Sequence, residues 1–267
     1  MTDLMKLLIV AIVMEGKGGV GKSLIAQLLK AALEFDGKNA VHVVDTDSTN
    51  SSMVQIFGQD IVDFVDFADE SSLGQFGLLI DNLRDQTFHA AVIDSGARDE
   101  QAMTARIPAM LHRIAKTKTS AKIVVLRPIT LSSHVQANAE AFCLGPAKSL
   151  EIPVVLVKNL GQGRKPADFA AWENSERRKK CLEAGAAEID LPNLGARWSD
   201  ECSGFSLPIA DVALANFDKV AAVDRAEAEK LFTPAVRMWF AEYLDDVVGR
   251  LQTGIESAIA NKPTISK

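Results

Sequence analysis

The chain reads as an α/β protein in three layers, with helices on both sides of a mostly parallel central sheet, and three observations predict it. An eight-residue apolar run, Leu7-Leu8-Ile9-Val10-Ala11-Ile12-Val13-Met14, has the length and continuity of a strand buried on both faces. A glycine-rich stretch follows, and then residues 24–33, where apolar side chains recur at helical spacing among good helix formers. A second β-rich run, Ala40-Val41-His42-Val43-Val44, closes on Asp45-Thr46-Asp47. Strand, helix, strand over about forty residues is a βαβ unit, which favours parallel pairing.

The remaining elements follow in order. The first helix is expected to end at Asp36-Gly37-Lys38-Asn39, a C-cap signal. Residues 48–77 are polar with scattered Phe and show no assignable period, and 78–83 read as helix. His89-Ala90-Ala91-Val92-Ile93 is a strand running into Asp94. Residues 99–116 read as a helix, kinked or begun afresh near Pro108. A strand over 121–126 precedes a helix over 132–144 that Gly145-Pro146 should stop, and a strand over 153–157 ends at Lys158-Asn159. A charged helix over 172–184, a short strand over 187–191 and two C-terminal helices, 217–232 and 234–260, complete the reading. With no repeat, low-complexity tract or linker, residues 1–267 are expected to form one domain, the helices of about 217–260 packed on or flanking it.

Composition narrows the function. Hydrophobic residues make up 48% and charged residues 24%, ordinary for a globular chain, and the net charge of −6 argues against a globally basic nucleic-acid binder. Arg177-Arg178-Lys179-Lys180 is the strongest basic run, with Lys116, Lys118 and Lys122 next. They leave a local DNA contact open, although a solvated helix face is the plainer reading. Cys143, Cys181 and Cys202 have no C-x-x-C spacing, so buried free thiols in a reducing compartment are expected rather than disulfides, zinc or an iron–sulfur cluster. His42, His89, His112 and His134 show no ligand spacing, and Trp239-Phe240 with Tyr243 reads as core or partner surface. The N-terminal apolar run is too short to span a bilayer and lacks a small-residue cleavage site, and 249–267 carry few bulky apolar residues. The expectation is a cytoplasmic protein without membrane contact.

The chemistry is concentrated in Gly16-Lys17-Gly18-Gly19-Val20-Gly21-Lys22-Ser23, which fits G-x-x-x-x-G-K-[ST]. Glycines let a backbone curl around an anion, and the following helix N-terminus adds unpaired N–H groups and partial positive charge. In such a loop Lys22 reaches the β- and γ-phosphates and the Ser23 hydroxyl ligates Mg²⁺. A bare match arises by chance in roughly one such chain per hundred, and the strand before and helix after lower that considerably. Ligands of parallel sheets sit outside the carboxyl ends of the strands, where Asp45, Asp47 and Asp94 all fall. Asp94 has the setting of an acid that holds Mg²⁺ through water, while Asp45 or Asp47 would orient an attacking water or assist the metal.

Lys17-Gly18-Gly19-Val20-Gly21-Lys22-Ser23 resembles the deviant Walker A loop of the ParA/MinD family, in which a second lysine lies near the loop's start. The likeness covers roughly residues 6–160. It implies a nucleotide-dependent homodimer that sandwiches two ATP molecules, with Lys17 acting in trans and Lys22 and Ser23 in cis. It also implies that Asp47 positions the hydrolytic water, that Asp94 is the Walker-B acid and that Asn159 hydrogen-bonds the base. Partition ATPases usually read D-x-D-P-Q and D-x-P-P, whereas here the runs are Asp45-Thr46-Asp47-Ser48-Thr49-Asn50 and Asp94-Ser95-Gly96-Ala97. That combination is more similar to the plasmid-borne TraL-like branch associated with conjugative transfer. The resemblance therefore implies a slow ATPase switch in plasmid partition or conjugation, with a partner protein the sequence does not name. The competing reading is a metabolic phosphate-loop enzyme, such as an ATP-dependent ligase on the same fold. Lys17 favours the switch.

Overall fold

The computed structural model describes residues 7–34, 40–47, 51–66, 73–85, 88–118, 120–161, 164–218 and 220–261. Seven strands form one sheet in the order β3-β2-β4-β1-β5-β6-β7, and every pairing is parallel. They are β1 (Ile9–Val13), β2 (Val41–Asp45), β3 (Val62–Phe64), β4 (Ala90–Asp94), β5 (Lys122–Ile129), β6 (Val154–Asn159) and β7 (Ala187–Leu191). β1 is flanked by β4 and β5 and is wholly buried, which accounts for its uninterrupted apolar sequence. Successive side chains of a strand point to opposite faces. Ile9, Ala11 and Val13 accordingly enter one apolar layer and Val10, Ile12 and Met14 the other.

Helices cover both faces. On the first lie α1 (Lys22–Glu34), α9 (Ile209–Ala213) and α11 (Pro234–Ala260). On the second lie α3 (Leu73–Arg84), α4 (Glu100–Thr117), α5 (Ser133–Phe142) and α7 (Glu176–Glu183). Met103, Ile107, Met110 and Ile114 of α4 recur at three- and four-residue steps and are all buried, so one stripe of the helix meets the sheet. Near its C-terminal end α11 presses closely on the sheet: a Cβ on Gly254 would lie 2.8 Å from Ile189 and 3.2 Å from Val155. Phe240 is buried in an aromatic cluster with Trp198 and Phe232, while Trp239 remains 37% exposed at its edge.

Several local expectations are corrected. α4 is not begun afresh at Pro108 but continues through it, the ring lying on the exposed side of the helix. Gly145-Pro146 does not stop the helix either, because Cys143–Ala147 widens into a π turn that accommodates the ring. The charged stretch divides into α6 (Ala170–Glu173) and α7, because Ser175 caps α7 by accepting from the Arg178 N–H at 3.1 Å. The penultimate helix is shorter than expected, α10 (Ala222–Leu231). Between 48 and 77 the structure places α2 (Ser52–Phe57) and edge strand β3, and α8 (Ala196–Gly204) also carried no sequence expectation. The expected cap at Asp36-Gly37-Lys38-Asn39 lies outside the described residues.

Candidate phosphate loop and acidic strand ends

The loop 16–23 leaves the centre of the sheet at the carboxyl end of β1 and enters α1 at Lys22. Gly19 and Gly21 hold φ of +71° and +92°, a region that disfavours side chains. At Gly21 there is also no room, since a Cβ would stand 2.3 Å from the Asn159 amide nitrogen. Gly16, Lys17, Gly18 and Gly19 are exposed along the rim, and Val20 is buried beneath them.

The two lysines of the loop go to different places. Lys22 is 9% exposed, and its Nζ donates to the Lys17 carbonyl oxygen at 3.3 Å. Burial pulls its pKa down, and the charges of Asp94, Glu15, Asp47 and Glu100 pull it back up. Lys17 Nζ instead extends over the surface to Ser132 Oγ, 3.3 Å away at the N-cap of α5.

Asp45 and Asp94 are in register across the β2–β4 pair and only 1% and 4% exposed. Their partners differ. Asp45 accepts from the Asp47 N–H (2.9 Å), the Ser51 hydroxyl (2.7 Å) and the Met53 N–H (3.1 Å). Burial raises its pKa, opposed by those three bonds. Asp94 accepts from the Ser23 hydroxyl, but its Oδ1 is buried without a hydrogen-bond partner. Burial pushes its pKa up to about 7, against the pull of Ser23 and Lys22. A buried, underused carboxylate oxygen beside a hydroxyl fits the donor set Mg²⁺ takes together with phosphate oxygens. Among the described residues no three His, Cys, Asp or Glu side chains converge as a self-sufficient metal cage.

Asn159, at the end of β6, is 9% exposed and occupied at both amide ends. Its Nδ2 donates to the Val20 carbonyl at 2.9 Å, and its Oδ1 accepts from the Gly161 N–H at 2.9 Å. It therefore fastens the edge of the phosphate loop to β6.

A buried ionic network under the loop was not anticipated. Glu15 and Arg127 are fully buried and paired at 2.7 Å. Arg127 also bridges to Glu100 in the first turn of α4, and Asn138 of α5 donates to Glu15 at 2.8 Å. Burial raises the Glu15 pKa, with Arg127 opposing. The sequence carried a trace of this network: a lone arginine interrupts the apolar run of β5, and a glutamate separates β1 from the glycines. Such charges require partners that only folding supplies. A cavity of about 640 Å³ opens beside Gly16 between α4 and α5, lined by Gln101, Thr104, Asn138 and Phe142 among others.

Elsewhere the structure places other singled-out groups. Arg177 and Lys180 pair with Glu140, and Arg178 pairs with Glu188 at 3.0 Å, so three of the four residues in the basic run are engaged within the chain. Cys143, Cys181 and Cys202 are buried and free. No helix among the described residues is long and apolar enough to cross a membrane.

No family model and no curated protein matches the chain. Solved structures align with most of its length at low identity. The MinD cell division protein of Aquifex aeolicus is 14% identical over 91% of this chain and 97% of its own, with a TM-score of 0.48. A Borrelia burgdorferi protein named for plasmid partition, bound to AMPPNP, is 13% identical over 90% of this chain and 98% of its own, with a TM-score of 0.42. The 54 kDa signal recognition particle protein of Aeropyrum pernix, in complex with GDP, is 14% identical over 85% of this chain and 58% of its own, with a TM-score of 0.40. Identities and scores of this size assign neither activity nor family.

Proposed function

We propose that this chain is a cytoplasmic, Mg²⁺-dependent ATP-binding and slowly hydrolysing dimer switch of the ParA/MinD type, serving plasmid partition or conjugative transfer as one unit over residues 1–267. The observation that carries the reading is the divergence of the two lysines: Lys22 folds inward over the loop, whereas Lys17 is exposed and rests on α5. Two triphosphates facing each other repel, so a sandwich dimer needs added positive charge at its seam, and Lys17, exposed and held among the described residues by a single hydrogen bond to Ser132, is placed to supply it in trans.

In this reading Lys22 and the N–H groups of the loop hold the β- and γ-phosphates, and Ser23 with Asp94 holds Mg²⁺. Held there by Ser23 and Asp94, Mg²⁺ would supply positive charge to offset the charge developing on the phosphates. Asp47 positions the attacking water. Asp45, with three donors on its carboxylate, supports Asp47 through that residue's own N–H. Asn159 can reach a base only by giving up Val20 or Gly161, so its first role is to brace the loop.

The test is light scattering after size exclusion with Mg²⁺ and each nucleotide. Asp47→Ala, which slows turnover, is expected to dimerise with ATP and stay monomeric with ADP. Asp47→Ala combined with Lys17→Gln is expected to stay monomeric with ATP while keeping nucleotide affinity. An oligomeric state indifferent to nucleotide, or ATP dimers that survive loss of Lys17, would favour the metabolic enzyme.

A further inference from the structure

We infer that Thr46, the central residue of Asp45-Thr46-Asp47, is a positioning residue for hydrolysis: it latches the loop bearing Asp47 to the loop bearing Asp94. The inference rests on the reading of Asp47 as the water-positioning acid. Thr46 is 4% exposed and touches the 94–99 loop at three points. Its N–H donates to the Asp94 carbonyl at 3.1 Å, extending the β2–β4 ladder by one residue. Its hydroxyl oxygen accepts from the Gly96 N–H at 2.8 Å and donates its proton to Asp99 Oδ2 at 2.7 Å. One hydroxyl thus serves as acceptor and donor at once, and donation to a carboxylate makes the second bond a strong one.

The latch bears directly on Asp47. A Cβ on Gly96 would stand 3.3 Å from the Asp47 Cβ and 2.4 Å from Asp99 Oδ2, so Asp47 packs on the bare Cα of the glycine that Thr46 holds. Threonine suits the task because its branched Cβ restricts χ1 and keeps the hydroxyl aimed between Gly96 and Asp99. Asp99 precedes α4 yet makes no side-chain cap bond to it, its carboxylate being turned to Thr46 instead. Displacing a water-positioning group by about an ångström can cost about a hundredfold in rate while leaving ground-state binding intact.

The experiment compares steady-state ATP turnover and calorimetric MgATP affinity in Thr46→Val, Thr46→Ser, Asp99→Ala, Asp47→Ala and the Thr46→Val/Asp47→Ala double variant. Valine keeps the shape and removes the hydroxyl. Thr46→Val is expected to lower kcat by at least about tenfold with Kd within about threefold of wild type, and Thr46→Ser to keep kcat within about threefold. Asp99→Ala breaks the latch from its other end without removing a helix cap, and should follow Thr46→Val even if valine impairs folding. The double variant should be no slower than Asp47→Ala. Wild-type kcat in Thr46→Val, equal losses in Val and Ser, or a double variant far slower than Asp47→Ala would overturn the latch. Wild-type turnover in Asp47→Ala would instead overturn the underlying reading of Asp47.

Discussion

The ends of β2 and β4 lie side by side, each closing on an aspartate, yet folding sets the two carboxylates to different work. Asp45 has three donors, two of them from the segment that opens α2, and is buried as a structural knot. Asp94, its register partner, has the Ser23 hydroxyl and an Oδ1 without a partner. A satisfied buried carboxylate contributes to stability, while an underused one is a standing cost that a cation can relieve. The same residue type at the same register position therefore gives a brace on one strand and a candidate metal ligand on its neighbour.

The largest expected effect belongs to the brace. Asp45→Ala removes three charge-assisted bonds, among them the one from the buried Met53 N–H, which should cost about 3–5 kcal/mol in urea unfolding. A loss under about 1 kcal/mol would erase the distinction between the two acids. Asp94→Asn should do the opposite. Its stability at neutral pH should stay within about 1 kcal/mol of wild type or rise, while Mg²⁺-dependent turnover falls about a hundredfold, or about 2.7 kcal/mol in barrier. Unchanged turnover would remove Asp94 from the metal site.

Linkage sharpens the same comparison. Asp94 is raised from an unfolded value of 3.8 to about 7 in the folded state, so between those values the folded state binds the extra proton. Its contribution to stability is present at low pH and is lost as pH rises from about 4 through about 7, by up to about 1.4 kcal/mol per unit. Subtracting the pH profile of Asp94→Asn from that of wild type isolates this slope. A flat difference would mean that Asp94 is not held protonated. The smallest effect is expected at a third strand end: Asn159→Ala should cost about 1–2 kcal/mol of stability and loosen nucleotide binding through the loop it braces. Weaker ATP binding with unchanged stability would instead assign the amide to the base.

Much of the sheet was readable in advance. β1, β4, β5 and β6 fall on apolar runs because strands inside the sheet are buried on two faces, whereas β2 and the edge strand β7 (Ala187–Leu191, with half-buried Glu188 and Asp190) were found on shorter β-rich runs. β3 was not, since Val62–Phe64 is a three-residue edge strand with two exposed positions and no period to detect. The fresh start allowed near Pro108 and the stop expected at Gly145-Pro146 fail for a shared reason. Breaking residues are locally unfavourable, but an exposed helix position and a π turn absorb them at costs that tertiary packing outweighs.

By itself the sequence determined the α/β class, the loop 16–23 between strand and helix, and the acids at the strand ends. Each depends on residue type and short spacing, which act within a few residues along the chain. Only tertiary structure decided what each acid touches: Asp45 knotted to Ser51 and Met53, Asp94 left with an unpartnered oxygen, Thr46 tied to Gly96 and Asp99 some fifty residues away. It also decided the union of Glu15, Glu100 and Arg127 beneath the loop. Hydrogen bonds and burial are pairwise and spatial, and parallel strands meet their partners only after long crossovers, so local pattern carries no record of which groups will end up side by side.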